Sequence, residues 1–156
     1  MLEEGKRAPA FELPDQDGDP VRLSDFEGQR VVLYFYPQAG TRGCTVQANE
    51  LSDAWEAFQA RDVQVLGVST DSVEDIASFR EAEDIPFTLL SDADGSVARA
   101  YETFGTPEVE GETVEIAFRN TYVIGPDGEI GAVYEGVSPE DHADELLDDI
   151  ADLEAA

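Results

Sequence analysis

At 156 residues, 42% of them apolar, the chain is long enough for one domain with a substantial core and too apolar for a disordered acidic tail. Its 36 acidic against 9 basic residues give a net charge of −27, a field that repels nucleic acid and anionic lipid. One cysteine excludes an internal disulfide, and no run reaches the roughly 20 apolar residues of a membrane span.

Phe11 to Leu13, closed by Pro14, reads as a short strand, and Asp15 to Pro20 is turn chemistry before the extended Val21-Arg22-Leu23. Ser24 to Phe26 is expected as one helical turn. Val31-Val32-Leu33-Tyr34-Phe35-Tyr36 is an unbroken apolar run, the pattern of a strand buried on both faces, and Pro37 ends it. After the loop Gln38 to Arg42, a helix is expected from Gly43 to Ala60, since Leu51, Ala54, Trp55 and Phe58 step by three and four along one face. Val63 to Val68 reads as a second buried strand, with Ser69-Thr70-Asp71 capping a helix through Glu83.

Pro86 precedes a third strand, Phe87 to Leu90, and Asp92 to Gly95 turns into a short helix, Ser96 to Tyr101. Thr103 to Glu112, rich in Gly, Pro and Glu, is expected as a mobile loop. Thr121 to Ile124 and Ile130 to Tyr134 form a hairpin through Gly125-Pro126-Asp127-Gly128, and Ser138-Pro139-Glu140 opens a final helix. No repeat or linker interrupts the chain, so residues 1–156 are expected as a single α/β domain. A βαβ half followed by a ββα half is the plan of the thioredoxin fold: a central mixed sheet flanked by helices, here with an N-terminal extension.

The stretch Tyr36-Pro37-Gln38-Ala39-Gly40-Thr41-Arg42-Gly43-Cys44-Thr45 carries the chemistry. It leaves the carboxyl end of a buried strand, where sites gather in α/β sheets, and enters a helix. Cys44 falls in the first helical turn, where unpaired N–H groups and the helix dipole favour an anion and make a thiol a better nucleophile. Cys44, Ala48, Leu51 and Trp55 share one helical face, so the sulfur is expected in a sheltered pocket. A lone cysteine on an apolar stripe is, taken alone, the ordinary mark of an inert core thiol. Pro37, Thr41 and the helix start around it are not needed by a core thiol.

Pro37, Thr41 and Cys44 match Pro-x-x-x-Thr-x-x-Cys, and in this respect the chain resembles the peroxiredoxins, AhpC/TSA-like thiol peroxidases. The longer Tyr-Phe-Tyr-Pro…Gly-Cys-Thr-Val-Gln-Ala is similar to their bacterioferritin-comigratory, or peroxiredoxin Q, branch, from Gly5-x-x-Ala8-Pro9-x-Phe11 through the last helix. The resemblance implies reduction of hydrogen peroxide and small organic hydroperoxides by a Cys44 thiolate, which becomes a sulfenic acid. It also implies an arginine before a late strand, matched by Arg119. Arg119 would stabilise thiolate and peroxide, Thr41 hydrogen-bond both, the Gly43 and Cys44 amides hold developing charge, and Pro37 exclude water. No cofactor is expected, and a lone His142 far in sequence from a lone Cys44 is not expected to make a metal site.

Two positions depart from the pattern. Many relatives carry a resolving cysteine five residues after the first, where this chain has Asn49; Arg42 stands where proline is common. The sulfenic acid must then be resolved by an external thiol (thioredoxin, glutaredoxin or a low-molecular-weight thiol) in a one-cysteine cycle. The alternative is a peroxide sensor that passes oxidation to a partner as a mixed disulfide. Copper chaperones and disulfide reductases need two nearby cysteines and are set aside. By resemblance a monomer or weak homodimer is expected.

The absence of a secretory signal at Met1-Leu2-Glu3-Glu4 and the single cysteine point to the cytoplasm. Acidic residues spread along the whole chain, with Lys6 the only lysine, point to a high-salt one. Trp55 and Phe58 are assigned to the core, Asp71, Asp92 and Asp94 to caps and turns, and His142 to an exposed helical face without a catalytic role.

Overall fold

The computed structural model describes residues 2–36, 42–105, 108–109, 112–113, 116–117, 120–135 and 142–155. An N-terminal hairpin pairs β1 (Glu12–Pro14) with β2 (Pro20–Arg22) in antiparallel register, Leu13 opposite Val21. Its turn is tied by Asp15 Oδ1, which accepts the amides of Asp17 at 2.9 Å and Asp19 at 3.0 Å. Residues Leu23–Phe26 form the expected single turn, of 3-10 type.

The apolar run becomes β3 (Arg30–Phe35), followed by α1 (Arg42–Asp53) and α2 (Trp55–Ala60). The single helix expected from Gly43 to Ala60 is thus two. Ala54, at φ −93° and ψ 1°, departs from helical geometry, although its amide still donates to Glu50 O at 3.3 Å and its carbonyl accepts from Phe58 N at 3.1 Å. The bend keeps Trp55 against Phe87, ring centroids 6.1 Å apart, while Phe58 is fully buried.

Next come β4 (Val63–Ser69), α3 (Val73–Ala82), β5 (Thr88–Ser91) and α4 (Ser96–Ala100). The cap of α3 is Ser72, whose side chain accepts the Asp75 amide at 3.2 Å, rather than the expected Ser69–Asp71. Asp92 and Asp94 play the expected cap and turn roles: the buried Asp92 carboxylate accepts from Val97 N at 3.2 Å and Ala98 N at 2.8 Å, and Asp94 accepts from Ser96 N at 3.0 Å. Burial raises the Asp92 pKa, and the two amide hydrogen bonds pull it back.

The segment expected as a mobile loop instead carries two small strand pairs. β6 (Phe104–Gly105) pairs with β9 (Ile116–Ala117), and between them β7 (Glu108–Val109) pairs with β8 (Glu112–Thr113). The chain closes with β10 (Thr121–Ile124), β11 (Ile130–Tyr134) and α5 (His142–Ala155). The expected start of that last helix, Ser138-Pro139-Glu140, lies outside the described residues.

The central sheet has the order β11-β10-β3-β4-β5, with β3, β4 and β5 parallel and β10 antiparallel to both β3 and β11. This is the mixed sheet expected for a thioredoxin-like fold. Side chains alternate across it. Val32, Tyr34, Tyr36, Val65, Leu89 and Val123 face the core shared with α1, α2, α3 and α5. Val31, Leu33, Phe35, Leu66, Leu90, Tyr122 and Ile124 face the N-terminal segment and α4. Gly67, opposite Tyr34 in the β3–β4 register, leaves room for that ring, since a Cβ there would lie 2.7 Å from it.

Candidate active site

β3 hydrogen-bonds one residue beyond its end, the Tyr36 amide donating to Val68 O at 3.1 Å, before the chain departs toward Pro37. It returns as α1, with Cys44 third in the helix and therefore in its first turn. Cys44 is 2% exposed and packs in one cluster with Tyr34, Tyr36, Ala48 and Leu51. The shelter expected from helical spacing is therefore present as burial. Burial alone would equally suit an inert thiol, so the polar groups around it matter.

Tyr36 is buried between the Tyr34 ring, stacked at 5.4 Å, and Phe79 at 6.3 Å. Burial raises its phenol pKa, Ser69 beside it pulls the other way, and charge on Asp71 or Cys44 pushes it up further. Gln47, one turn beyond Cys44, is also fully buried. Asn49 is exposed and its Nδ2 donates to Glu83 Oε1 at 3.4 Å, so an amide occupies the position of the resolving thiol.

A second strand end reaches this region. Phe35 N donates to the carbonyl of buried Asn120 at 2.8 Å, and Thr121 pairs with Tyr34. The chain entering β10 is thereby fastened to the carboxyl end of β3, the end from which the Cys44 loop departs. Of the residues predicted from sequence, Cys44 is buried in this cluster, and Gly43 is placed in the first turn of α1. Pro37, Thr41 and Arg119 lie outside the described residues.

The family model described as the AhpC/TSA family matches residues 5–133. The chain belongs to the AhpC/TSA family. Among AhpC/TSA relatives, peroxiredoxin Bcp of Escherichia coli is 44% identical over 146 residues, 94% of each chain. The crystal structure of a cysteine-to-serine mutant of Xylella fastidiosa PrxQ superposes with a TM-score of 0.93 at 28% identity, covering 99% of this chain and 98% of that one. A structure of the Xanthomonas campestris bacterioferritin comigratory protein, described for its alkyl peroxide reduction activity, gives a TM-score of 0.88 at 28% identity over 98% of both chains. The branch resemblance drawn from the Cys44 motif therefore holds.

One AhpC/TSA residue differs from its sequence-based assignment. His142, expected on an exposed face, is 4% exposed and bound to Thr121 by its ring nitrogen, because α5 packs its first turn onto β10 and β11. Nothing in the acidic residues flanking His142 signals this. The motif residues Tyr36 and Gln47 are buried, which only the fold makes visible. Among the described residues no helix is long and apolar enough to cross a membrane.

Proposed function

We propose that the chain is a thiol-dependent peroxidase for hydrogen peroxide and small organic hydroperoxides, with Cys44 as the attacking group. The observation that carries this reading is the single cysteine, sheltered in the first turn of α1 at the carboxyl end of β3, in a chain of this family.

The Cys44 thiolate attacks the terminal peroxide oxygen. An S–O bond forms, the O–O bond breaks, and the leaving alkoxide or hydroxide takes a proton, giving Cys44 sulfenic acid and alcohol or water. Arg119 and Thr41 hold the peroxide oxygens as charge moves between them, the Gly43 and Cys44 amides receive developing negative charge, and Pro37 keeps water from the sulfur. The fastening of Asn120 to Phe35 supports the part given to Arg119, its immediate neighbour in sequence.

With no second cysteine in the sequence, an external thiol condenses with the sulfenic acid, releasing water and leaving a mixed disulfide at Cys44. A second thiol displaces the first and restores the reduced enzyme. Thioredoxin, glutaredoxin or a low-molecular-weight thiol would serve. The working unit is one thioredoxin-like domain, monomer or weak homodimer, in a high-salt cytoplasm, a reading that rests on the single thiol and the charge of −27.

Treating the protein with one equivalent of peroxide should add one oxygen to Cys44 by mass spectrometry, and excess thiol should sustain turnover. Cys44→Ser should do neither. Peroxide consumption by that variant would reject the mechanism, and oxidation of Cys44 without turnover by any thiol would favour a sensor.

A further inference from the structure

Tyr36 presents a problem that the reaction above leaves open. Its side chain is 1% exposed, and the Ser69 side chain acts on its hydroxyl without forming a hydrogen bond of normal geometry. A buried donor this poorly satisfied is costly to a protein, so one kept in place calls for a cause. The ring itself is well held between Tyr34 and Phe79. Phenylalanine would fill that slot without the poorly satisfied hydroxyl.

The member of the same buried cluster that changes chemically is Cys44, and a charge on it pushes the phenol's pKa up. A thiol is a weak acceptor, whereas a sulfenate carries a strong one on its new oxygen. Because burial raises the phenol's pKa, the hydroxyl keeps its proton and remains a donor across the working pH range.

Building on the peroxidase reading, we propose that the Tyr36 hydroxyl is the hydrogen-bond donor for the oxygen that peroxide leaves on Cys44, and that it protects the sulfenic state from a second oxidation. The bond ties up the electron density that a second peroxide would need to find on sulfur or its oxygen. That second step forms another S–O bond, breaks another O–O bond, and converts sulfenic to sulfinic acid with release of a second alcohol or water. Protection matters more here than in a chain with its own resolving cysteine, because the sulfenic acid must wait for an external thiol to arrive.

Tyr36→Phe removes the oxygen and keeps the ring. With hydrogen peroxide in excess and no thiol, mass spectrometry should show the ratio of sulfinic to sulfenic Cys44 rising roughly tenfold over the parent, the scale of one lost charge-assisted hydrogen bond. Phe79→Leu loosens the same wall without touching the hydroxyl and should leave the ratio near the parental value. An unchanged ratio in Tyr36→Phe, or an equal rise in both variants, overturns the proposal. A parent that forms no sulfenic acid would instead remove the peroxidase reading on which it rests.

Discussion

His142 Nε2 lies 3.0 Å from Thr121 Oγ1, a buried hydrogen bond joining the first turn of α5 to the start of β10. The ring stands edge-on to Tyr134 of β11 at 5.1 Å, and Nδ1 faces Glu145 Oε1 at 3.6 Å. That carboxylate favours the proton on Nδ1, so Nε2 accepts from the Thr121 hydroxyl. Tyr134 is itself hydrogen-bonded to Asp149 of α5. Helix and sheet edge are thus joined by polar contacts one residue from Asn120 and two from Arg119.

This arrangement makes acid stability depend on one ring. Burial lowers the His142 pKa from 6.5 to about 4, with Asp149 opposing the shift. Its folded pKa is below its unfolded one, so its stabilising contribution is complete above about pH 6.5 and is lost as pH falls toward 4, up to about 3 kcal/mol in all. His142→Gln keeps a polar partner for Thr121 and does not titrate. Between pH 7 and pH 4.5 the parent's unfolding midpoint should fall by several degrees relative to that of His142→Gln. The difference between the two proteins is the relevant quantity, because acidification also relieves repulsion among the 36 carboxylates. Parallel curves would mean that the ring does not carry the effect.

Salt should act in the opposite sense to acid denaturation. A charge of −27 on 156 residues repels itself in dilute buffer, and the screening length shrinks from about 10 Å at 0.1 M to about 3 Å at 1 M. Thermal unfolding in potassium chloride, from about 0.1 M to several molar, should show a midpoint that climbs throughout. A flat series would remove the reading of the charge as an adaptation to high salt.

Arg119→Ala and Thr41→Val should each slow oxidation of Cys44 by peroxide about 10²- to 10³-fold, the usual cost of one preorganised donor. Rapid mixing with peroxide measures the second-order rate directly, and unfolding midpoints near the parental value would assign the loss to chemistry. Rates within threefold of the parent would take these side chains out of the reaction.

The sequence by itself determined the parts that depend on short spacing. Six consecutive apolar residues from Val31, rich in β-branched and aromatic types and closed by Pro37, read as a strand covered on both faces, and Cys44, Ala48 and Leu51 share a face at helical spacing. Together with the Pro37–Thr41–Cys44 spacing, these sufficed to place the one cysteine at a helix start and to recognise the family. Tertiary structure decided what depends on partners distant in the chain. His142 is buried because Thr121, 21 residues earlier, and Tyr134, eight earlier, are brought against it by the β10–β11 pairing. The strand pairs within residues 104–117 are two residues long, too short for alternation to register in so Glu- and Gly-rich a segment. The poor hydrogen bonding of the buried Tyr36 hydroxyl is likewise a property of packing. A sequence states that a phenol is present, and only the fold states whether its proton has anywhere to go.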